Sequence, residues 1–349
     1  MLTELAPRLV NSGYDVTVYV RNPYTGGKKG QWEYNGVKLI SLPCIRNKYL
    51  ETPIFTFVAL FHSLKYNFDV YYFHAVVTGM FIPFARLFGK RVLLQTHGLD
   101  WKREKWGIIS KAIIKLSTFL GIKFANIVTS VSLEEVNYFS ERYRKLIYHT
   151  PNGISMPETV TMTDEIKKFN IEADRYILFL SRLVPEKGCH FLIEAYNKLE
   201  NNLKKKYKLV IAGDTQYKDK YYYSLKSNES ENIIFTGFAV GELKRQLLSH
   251  AAVFVQPSTM EGMPLAVLEA MAYGLPVIGS DIQEISDIIV DKSLLFKSGN
   301  TADLTEKLNL VLTNQSFYKS LAELKKSEVI NKYDWNSITK IISNLIEKL

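Results

Sequence analysis

Residues 253–281, VFVQPSTMEGMPLAVLEAMAYGLPVIGSD, contain two short apolar runs separated by a helix-like stretch. The runs VFV and PVI each predict a buried strand, because a strand covered on both faces loses its apolar–polar alternation. Residues 264–272 predict a helix between them, since proline suits the first turn of a helix. The segment therefore predicts a strand–helix–strand unit, with Glu261 after the first strand and Glu269 on the helix.

The same alternation continues along the chain. The first half has strand-like runs at DVTVYV, VKLISL, DVYYF, RVLLQT, NIVTS and KLIYHT, and the second half restarts with YILFL, YKLVIA, NIIFTG, AVFVQP, PVIGS and SLLF. A turn signal, PNG at residues 151–153, and a polar stretch separate the halves. We predict an α/β protein with two doubly wound, Rossmann-like domains facing a cleft, residues 1–155 and 156–333. We expect the helix at 334–349 to cross back to the first domain.

The chain opens with a helix, LTELAPRLVNSG, where a doubly wound domain usually has a strand and a glycine-rich turn. We therefore expect the first domain to be N-terminally incomplete. No apolar run is long enough for a transmembrane helix, and the first residues lack the basic region and cleavage site of a signal peptide. Cys44 and Cys189 have no metal-ligand spacing and predict inert thiols in a reducing cytoplasm.

Basic residues outnumber acidic ones, with a formal net charge of +9 in 349 residues, and this favours anionic partners. Lysines and apolar residues alternate at helical intervals in WKREKWGIISKAIIKLSTFLGIK, residues 101–123. Two interpretations stay open: a solvated helix face, or a basic amphipathic helix lying on anionic lipid. The sequence has no nucleic-acid-binding signature, so we expect no nucleic acid partner.

Groups suited to a sugar nucleotide surround the Gly-Met-Pro break. The backbone N–H groups of Gly262, Met263 and Leu265 precede or begin the predicted helix, where an anion or sugar hydroxyls can bind. Arg182 and Lys187, in SRLVPEKG, follow the strand YILFL and provide two cations for a diphosphate. Carboxylates accept paired hydrogen bonds from vicinal diols. Together these groups predict a site for a diphosphate that carries sugars.

By these motifs the sequence resembles the retaining glycosyltransferases of the GT-B fold, in family 4, the group 1 glycosyl transferases. The resemblance covers nearly all of residues 170–330, through RLVPEKG, LVIAGD, IIFTGF and the E-x7-E spacing of EGMPLAVLE. The first half is more divergent. Its QTHGLDWKREKWG resembles a subgroup that includes rhamnosyltransferase-like enzymes of bacterial surface polysaccharides.

The resemblance implies roles for single residues. Glu269 would bind the ribose diol, and Glu261 with the amides after it would bind the transferred sugar. Pro264 would also belong to the donor site. Arg182 and Lys187 would bind the diphosphate. The remaining implied contacts are the nucleobase against Gly237 and Phe238, the donor sugar against His97, and the acceptor against Asp100, Trp101 and Arg103. The implied catalytic set is His97, Arg182, Lys187 and Glu261.

The expected reaction is sugar transfer from a nucleoside diphosphate donor to a hydroxyl acceptor with the anomeric configuration retained. Because no D-x-D motif occurs, we expect no metal and no other cofactor. The expected acceptor is a lipid-linked saccharide of capsule or O-antigen type, reached from the cytoplasm by peripheral contact with an anionic membrane. Two alternatives remain: a nucleotide-sugar epimerase of similar architecture, or a truncated protein that binds sugar nucleotide without activity.

Overall fold

The computed structural model describes residues 1–47, 49–102, 106–215, 218–289 and 291–349. The chain divides into two compact units: unit 1 is residues 1–153 with 333–349, and unit 2 is residues 154–332. In both units, helices flank mainly parallel sheets, so the predicted α/β class is confirmed.

Unit 1 contains two separate sheets, with strand orders β1-β3-β2 and β4-β5-β6-β7. Its strands are β1 (Thr17–Arg21), β2 (Gly30–Tyr34), β3 (Val37–Leu42), β4 (Val70–His74), β5 (Arg91–Thr96), β6 (Ile127–Ser130) and β7 (Ile147–His149). Its first helices are α1 (Leu2–Asn11), α2 (Glu51–Ser63), α3 (Ile82–Leu87), α4 (Ile108–Phe124) and α5 (Leu133–Tyr143).

Strand β2 departs from the parallel pattern, because it pairs antiparallel with β3. The turn between the two strands is Asn35-Gly36, and both residues have positive φ angles, 48° and 77°. These are the backbone angles that a two-residue hairpin requires, and Asn-Gly adopts them at low cost. The hairpin explains why this one strand of unit 1 runs against its neighbour.

Unit 2 contains a parallel sheet of order β10-β9-β8-β11-β12-β13. The chain builds outward from β8 to one edge and then from β11 to the other, so the topological switch point lies between β8 and β11. The strands are β8 (Tyr176–Leu180), β9 (Lys208–Ala212), β10 (Ile233–Gly237), β11 (Val253–Gln256), β12 (Val277–Ser280) and β13 (Leu295–Phe296). The helices are α6 (Asp164–Lys167), α7 (Cys189–Asn197), α8 (Asn201–Lys206), α9 (Lys220–Lys226), α10 (Gly241–His250), α11 (Leu265–Ala272), α12 (Gln283–Ser286), α13 (Thr301–Thr313) and α14 (Gln315–Lys332).

The last helix, α15 (Trp335–Glu347), belongs to unit 1. Its Trp335 and Ile342 pack with Leu5 of α1 and with Leu93 of β5. Leu94, the next residue of β5, belongs to a different cluster on the opposite face of the sheet, as the two-residue period of a strand requires. The four-stranded sheet of unit 1 is thereby covered on both faces. None of the helices in the described part of the chain is long and apolar enough to cross a bilayer.

Candidate active site

The loops that follow β8, β9 and β11 touch one another, because these strands are consecutive in the unit 2 sheet. A Cβ added to Gly188, after β8, would lie 1.9 Å from the Pro257 carbonyl oxygen, after β11. A Cβ added to Gly213, after β9, would lie 1.8 Å from the Ser181 carbonyl oxygen. Only glycine allows this approach. The contact fixes the two loops that carry the predicted cations and the first predicted carboxylate.

Glu261 follows β11, and only 5% of its side chain is exposed. Its Oε1 accepts hydrogen bonds from Gln256 Nε2 at 3.0 Å and from Ser258 Oγ at 2.7 Å. Its Oε2 accepts a hydrogen bond from Lys187 Nζ at 2.5 Å. A buried carboxylate is tolerated only with a cation and hydrogen-bond donors. Glu261 has both, so its carboxylate is held in one orientation beside the switch point.

The two cations after β8 differ in their surroundings. Lys187 is mostly buried, with 14% of its side chain exposed, and it is paired with Glu261. Arg182 is exposed, and its guanidinium makes no ion pair or hydrogen bond within the described residues. A guanidinium offers five N–H donors in a planar fork. Arg182 is therefore the cation of this loop that is available to an incoming anion.

The start of α11 provides backbone donors next to Glu261. Pro264 is the N-cap residue, and the helix begins at Leu265. The Pro264 carbonyl accepts the first helical hydrogen bond, from Val267 N at 3.0 Å. Within the part of the chain that the structure describes, the N–H groups of Gly262 and Leu265 have no protein acceptor. These two amides, and the positive end of the helix dipole, can bind an anion or a hydroxyl oxygen. Met263 lies between them.

Glu269 is on α11, where 33% of its side chain is exposed. Its Oε1 accepts a hydrogen bond from Lys244 Nζ, on α10, at 2.7 Å. The second carboxylate of the E-x7-E spacing thus also has a lysine partner, but a more accessible one. Because Lys244 is equally exposed, water or a ligand hydroxyl can compete for this carboxylate.

The loop after β10 carries the residues predicted for the nucleobase. Gly237, the last residue of β10, has a φ of +73°, and an added Cβ would meet nothing within 4 Å. Phe238, the next residue, has 59% of its surface exposed. An exposed aromatic ring that is not needed for the core is suited to stacking on a planar ligand.

His97 follows β5 in unit 1 and is paired with a second histidine. Its Nε2 lies 3.3 Å from His74 Nδ1, and the two rings stack with centroids 5.6 Å apart. Burial, and then the neighbouring His97, lowers the pKa of His74 to about 3. Burial likewise lowers the pKa of His97 to about 4. Both rings are therefore neutral near pH 7, so one nitrogen donates and the other accepts.

A buried glutamate holds the loop that begins at His97. Glu135, on α5, accepts hydrogen bonds from Gly98 N at 2.9 Å, Ser130 Oγ at 2.6 Å and Thr96 Oγ1 at 3.2 Å. Burial raises the pKa of Glu135 to about 7, although these three donors act in the opposite direction. The carboxyl group joins the ends of β5 and β6 and sets the direction in which the loop leaves the sheet.

The predicted acceptor residues have unequal positions. Trp101 is 8% exposed and packs in the unit 1 core, with its ring 6.1 Å from that of Phe139. Asp100 is partly exposed, beside it on a short 3-10 turn. Arg103 lies outside the described residues. Little of the Trp101 indole is therefore accessible to an acceptor, whereas the Asp100 side chain can be reached.

Sequence reasoning did not identify several residues that complete these groups. In unit 2 they are Lys244, Gln256 and Ser258, and in unit 1 they are His74 and Glu135. His74 could have been inferred, because it ends β4, and β4 pairs with β5, the strand that precedes His97. The others needed side-chain orientation, which strand patterns do not give.

Two family models match the chain. The model described as Glycosyltransferase Family 4 matches residues 1–156, and the model described as Glycosyl transferases group 1 matches residues 161–328. The first range falls in unit 1, apart from three residues, and the second falls within unit 2. Between them the two models account for nearly all of the chain.

Curated relatives include enzymes that act on sugars. The serotype-specific mannosyltransferase WbdA of Escherichia coli is 27% identical over 223 residues, which are 62% of this chain and 24% of WbdA. The chain thus spans about a quarter of that relative's length. The UDP-Gal:alpha-D-GlcNAc-diphosphoundecaprenol alpha-1,3-galactosyltransferase of Escherichia coli is 25% identical over 357 aligned residues, covering 98% of this chain and 88% of that enzyme.

Solved structures share the fold. Sucrose-phosphate synthase from Thermosynechococcus elongatus has a TM-score of 0.84 at 19% identity, over 99% of this chain and 92% of its own. Alr3699/HepE of Anabaena, solved in complex with UDP and glucose, has a TM-score of 0.76 at 16% identity, over 90% of this chain and 87% of its own. At these identities the likeness concerns the fold, which is GT-B with two Rossmann-like domains.

Proposed function

Because the chain belongs to the group 1 glycosyltransferases of family 4, we propose that it transfers a sugar from a nucleoside diphosphate donor to a hydroxyl acceptor. The observation that carries this proposal is the group of side chains after β8 and β11. There, Arg182 lies in the loop before the buried Lys187–Glu261 pair, and the amides of Gly262 and Leu265 follow Glu261; among the described residues, neither the Arg182 guanidinium nor these amides have a protein partner. This arrangement offers positive charge to a diphosphate and a fixed carboxylate to sugar hydroxyls.

The donor would be bound in parts. Arg182 and Lys187 would hold the diphosphate, and Glu261 with the amides of Gly262 and Leu265 would hold the transferred sugar. Glu269 would accept hydrogen bonds from the ribose diol, replacing its contact with Lys244. Alr3699/HepE has a similar fold and was solved with UDP and glucose, which supports a nucleoside diphosphate as part of the donor.

The leaving diphosphate would be stabilised by these cations and amides without a metal, since no D-x-D motif occurs in the sequence. Transfer with retention would proceed on one face of the sugar. The bond from the anomeric carbon to the phosphate oxygen breaks as the acceptor oxygen bonds to the same face, and the leaving phosphate takes the acceptor's proton. Because His97 is neutral near pH 7, its role in catalysis would be that of a hydrogen-bonding group rather than a positive charge.

The acceptor would be a lipid-linked saccharide in the synthesis of a surface polysaccharide. The galactosyltransferase that matches 98% of this chain acts, by its name, on a diphosphoundecaprenol-linked sugar. WbdA is a serotype-specific mannosyltransferase, and this also supports polysaccharide synthesis. Which sugar is transferred is left open by these two relatives, since one moves galactose and the other mannose.

The donor site is tested by calorimetric titration of nucleoside diphosphates and their sugar conjugates. Arg182→Ala should weaken UDP or GDP binding about ten- to a hundredfold, because a charge-assisted bond to phosphate is lost. Arg175→Ala is the matched control, since Arg175 is an exposed arginine of unit 2 paired only loosely with Glu172, at 3.4 Å. Equal affinities for the two variants would rule out Arg182 as a diphosphate ligand.

The roles of the two carboxylates can be distinguished by which ligands bind more weakly when each carboxylate is replaced. Glu269→Gln should weaken nucleosides and sugar nucleotides alike, whereas Glu261→Gln should weaken only ligands that carry the sugar. Loss of plain UDP binding in Glu261→Gln would contradict these roles.

Turnover is tested separately with a lipid-linked saccharide acceptor. Free nucleotide should appear only when acceptor is added, and excess chelator should leave the rate unchanged. Interconversion of donor sugars without acceptor would show an epimerase instead. Activity that is lost on chelation and restored by magnesium or manganese would refute the metal-free mechanism, and donor binding without any turnover would indicate a binding protein.

A further inference from the structure

Helix α4 buries one face, formed by Ile114, Ser117, Thr118, Gly121 and Ile122, and exposes several other large apolar residues. Its buried residues include Ser117 and Gly121, and Ser117 Oγ donates a hydrogen bond to the Val76 carbonyl at 2.8 Å. A Cβ added to Gly79 would lie 2.9 Å from the Gly121 Cα, so the two backbones are in contact. This contact fixes the rotation of α4 about its axis, because no larger residue fits between the helix and the segment beneath it.

The outward face of α4 consequently carries large apolar side chains. Ile109 is 77% exposed, Ile113 46% and Leu116 55%, and their spacing of four and three residues places them on one stripe. Ile108, at the start of the helix, is 88% exposed. A helix on a water-soluble protein normally turns such a stripe toward the core. An exposed stripe of this kind indicates an interaction surface.

Helices that neighbour α4 also expose apolar side chains. Helix α3 packs against α4, and Leu87 at its end is 81% exposed. Phe88 follows, and its ring lies 6.2 Å from that of Phe61 on α2, with both rings exposed by 40% or more. We call the surface formed by Phe61, Leu87, Phe88, Ile109, Ile113 and Leu116 the apolar face. Its members lie on α2, at the end of α3 and on α4.

Positive charge accompanies the apolar face. Residues 70–99 and 105–133 contain no aspartate or glutamate, whereas Lys111, Lys115 and Lys123 lie along α4. Lys123 Nζ sits over the rings of Phe119 and Phe124, at 5.4 and 5.7 Å from their centroids. Lysines beside apolar side chains match the boundary between anionic headgroups and acyl chains. A second copy of the chain would bring the same positive charge, so self-association through this face is disfavoured.

We propose that the apolar face docks on an anionic lipid bilayer, with the lysines of α4 at the headgroups and Ile109, Ile113 and Leu116 inserted below them. The proposal rests on the proposed function in one respect: docking would give the enzyme access to a lipid-linked acceptor. Of the two interpretations of residues 101–123 that the sequence left open, it adopts the helix on anionic lipid, for the part of the segment that the structure describes. Because the contact is apolar as well as electrostatic, salt should weaken it without abolishing it.

The test measures partitioning onto phosphatidylglycerol–phosphatidylcholine vesicles by flotation, with and without salt. Ile109→Ser combined with Leu116→Ser should lower the partition coefficient about tenfold or more, since two inserted side chains are lost. Phe317→Ser combined with Leu324→Ser is the matched control, because these α14 residues are 64% and 79% exposed but belong to unit 2. Lys111→Gln with Lys115→Gln should lower binding to these anionic vesicles but not to vesicles of phosphatidylcholine only.

Several outcomes would overturn the proposal: equal partitioning of the two serine pairs, no vesicle binding at all, or a lipid-free dimer that the Ile109 and Leu116 substitutions dissociate. UDP titration of the same samples keeps the two proposals apart. Intact UDP binding without vesicle binding would remove the docking surface and leave the transferase function. Vesicle binding without UDP binding would do the reverse. Unchanged tryptophan fluorescence in the Ile109 and Leu116 variants shows that unit 1 is folded, because all four tryptophans lie there.

Discussion

The Lys187–Glu261 pair gives the sharpest energetic prediction, because it is buried and its neighbours are known. Replacing Lys187 by Met leaves a carboxylate whose side chain is 5% exposed, held only by the Gln256 and Ser258 donors. Removing one partner of a buried ion pair costs about 3–5 kcal/mol. Glu261→Gln leaves the ammonium group without its anion, but that side chain is 14% exposed and can reach some water. Its cost should lie toward the lower end of the same range.

The double variant, Lys187→Met with Glu261→Gln, buries no unpaired charge. Its loss of unfolding free energy should therefore be smaller than the sum of the single losses by at least about 2 kcal/mol. In urea titrations, far-UV circular dichroism would report on both units. Tryptophan fluorescence would report on unit 1 alone, because all four tryptophans lie there. The fluorescence transition should stay in place while the transition of unit 2 shifts.

The same variants distinguish a structural pair from a ligand-binding one. Lys187→Met should also weaken UDP about tenfold or more, since it removes a phosphate cation, whereas Glu261→Gln should leave UDP affinity unchanged or raise it. Single-variant losses that add to within about 0.5 kcal/mol would refute the coupling, because independent sites behave in that way. An equal fall of UDP affinity in both single variants would refute the assignment of Lys187 to the diphosphate.

Three further predictions use other residues. Burial raises the pKa of Glu135 in the folded chain to about 7, so its protonation should stabilise unit 1 by up to about 3 kcal/mol as pH falls from about 7 to about 4.5. Glu135→Gln should remove this pH dependence. Urea titrations followed by fluorescence at several pH values would measure it. Lys244→Gln should change nucleoside affinity by no more than about fivefold in titration, since exposed pairs contribute little, whereas Glu269→Gln should weaken it about tenfold. Gly188→Ala should destabilise unit 2 clearly more than Gly237→Ala by circular dichroism, because both have positive φ but only the first meets another atom.

The strands and the main loops of unit 2 could be predicted because parallel, doubly covered strands are continuous apolar runs. YILFL corresponds to β8 (Tyr176–Leu180), and the two loops that hold Arg182 and Glu261 follow from the strand ends. The antiparallel β2 carried an Asn-Gly turn signal, yet the prediction of parallel strands passed over it. The Asn-Gly turn signal was present, but β2 is short and mostly exposed, so it lacks the apolar run that marks the other strands.

The partners of the site residues could not be predicted, because they depend on which face of a helix meets the sheet. Lys244 lies 25 positions before Glu269 in the chain, and their contact joins two helices, α10 and α11, that β11 separates in the sequence. For α4, periodic lysines suggested a basic helix, but Gly121 and Ser117 decide its rotation. Ile109, Ile113 and Leu116 therefore face outward together with the lysines. The periodic residue types predict the helix, whereas its rotation depends on the contacts of its smallest residues, Ser117 and Gly121.

The lysine partners also explain how two carboxylates could stand in the proposed diphosphate site. In the sequence, Arg182 and Lys187 provide two cations for a diphosphate. In the folded chain each carboxylate already has a lysine: Lys187 neutralises Glu261, and Lys244 neutralises Glu269. Arg182 then remains, within the described residues, as a cation of this loop without a partner. On the proposed function, an arriving diphosphate would meet this free guanidinium, whereas hydroxyl groups would meet two carboxylates that the lysines hold in place.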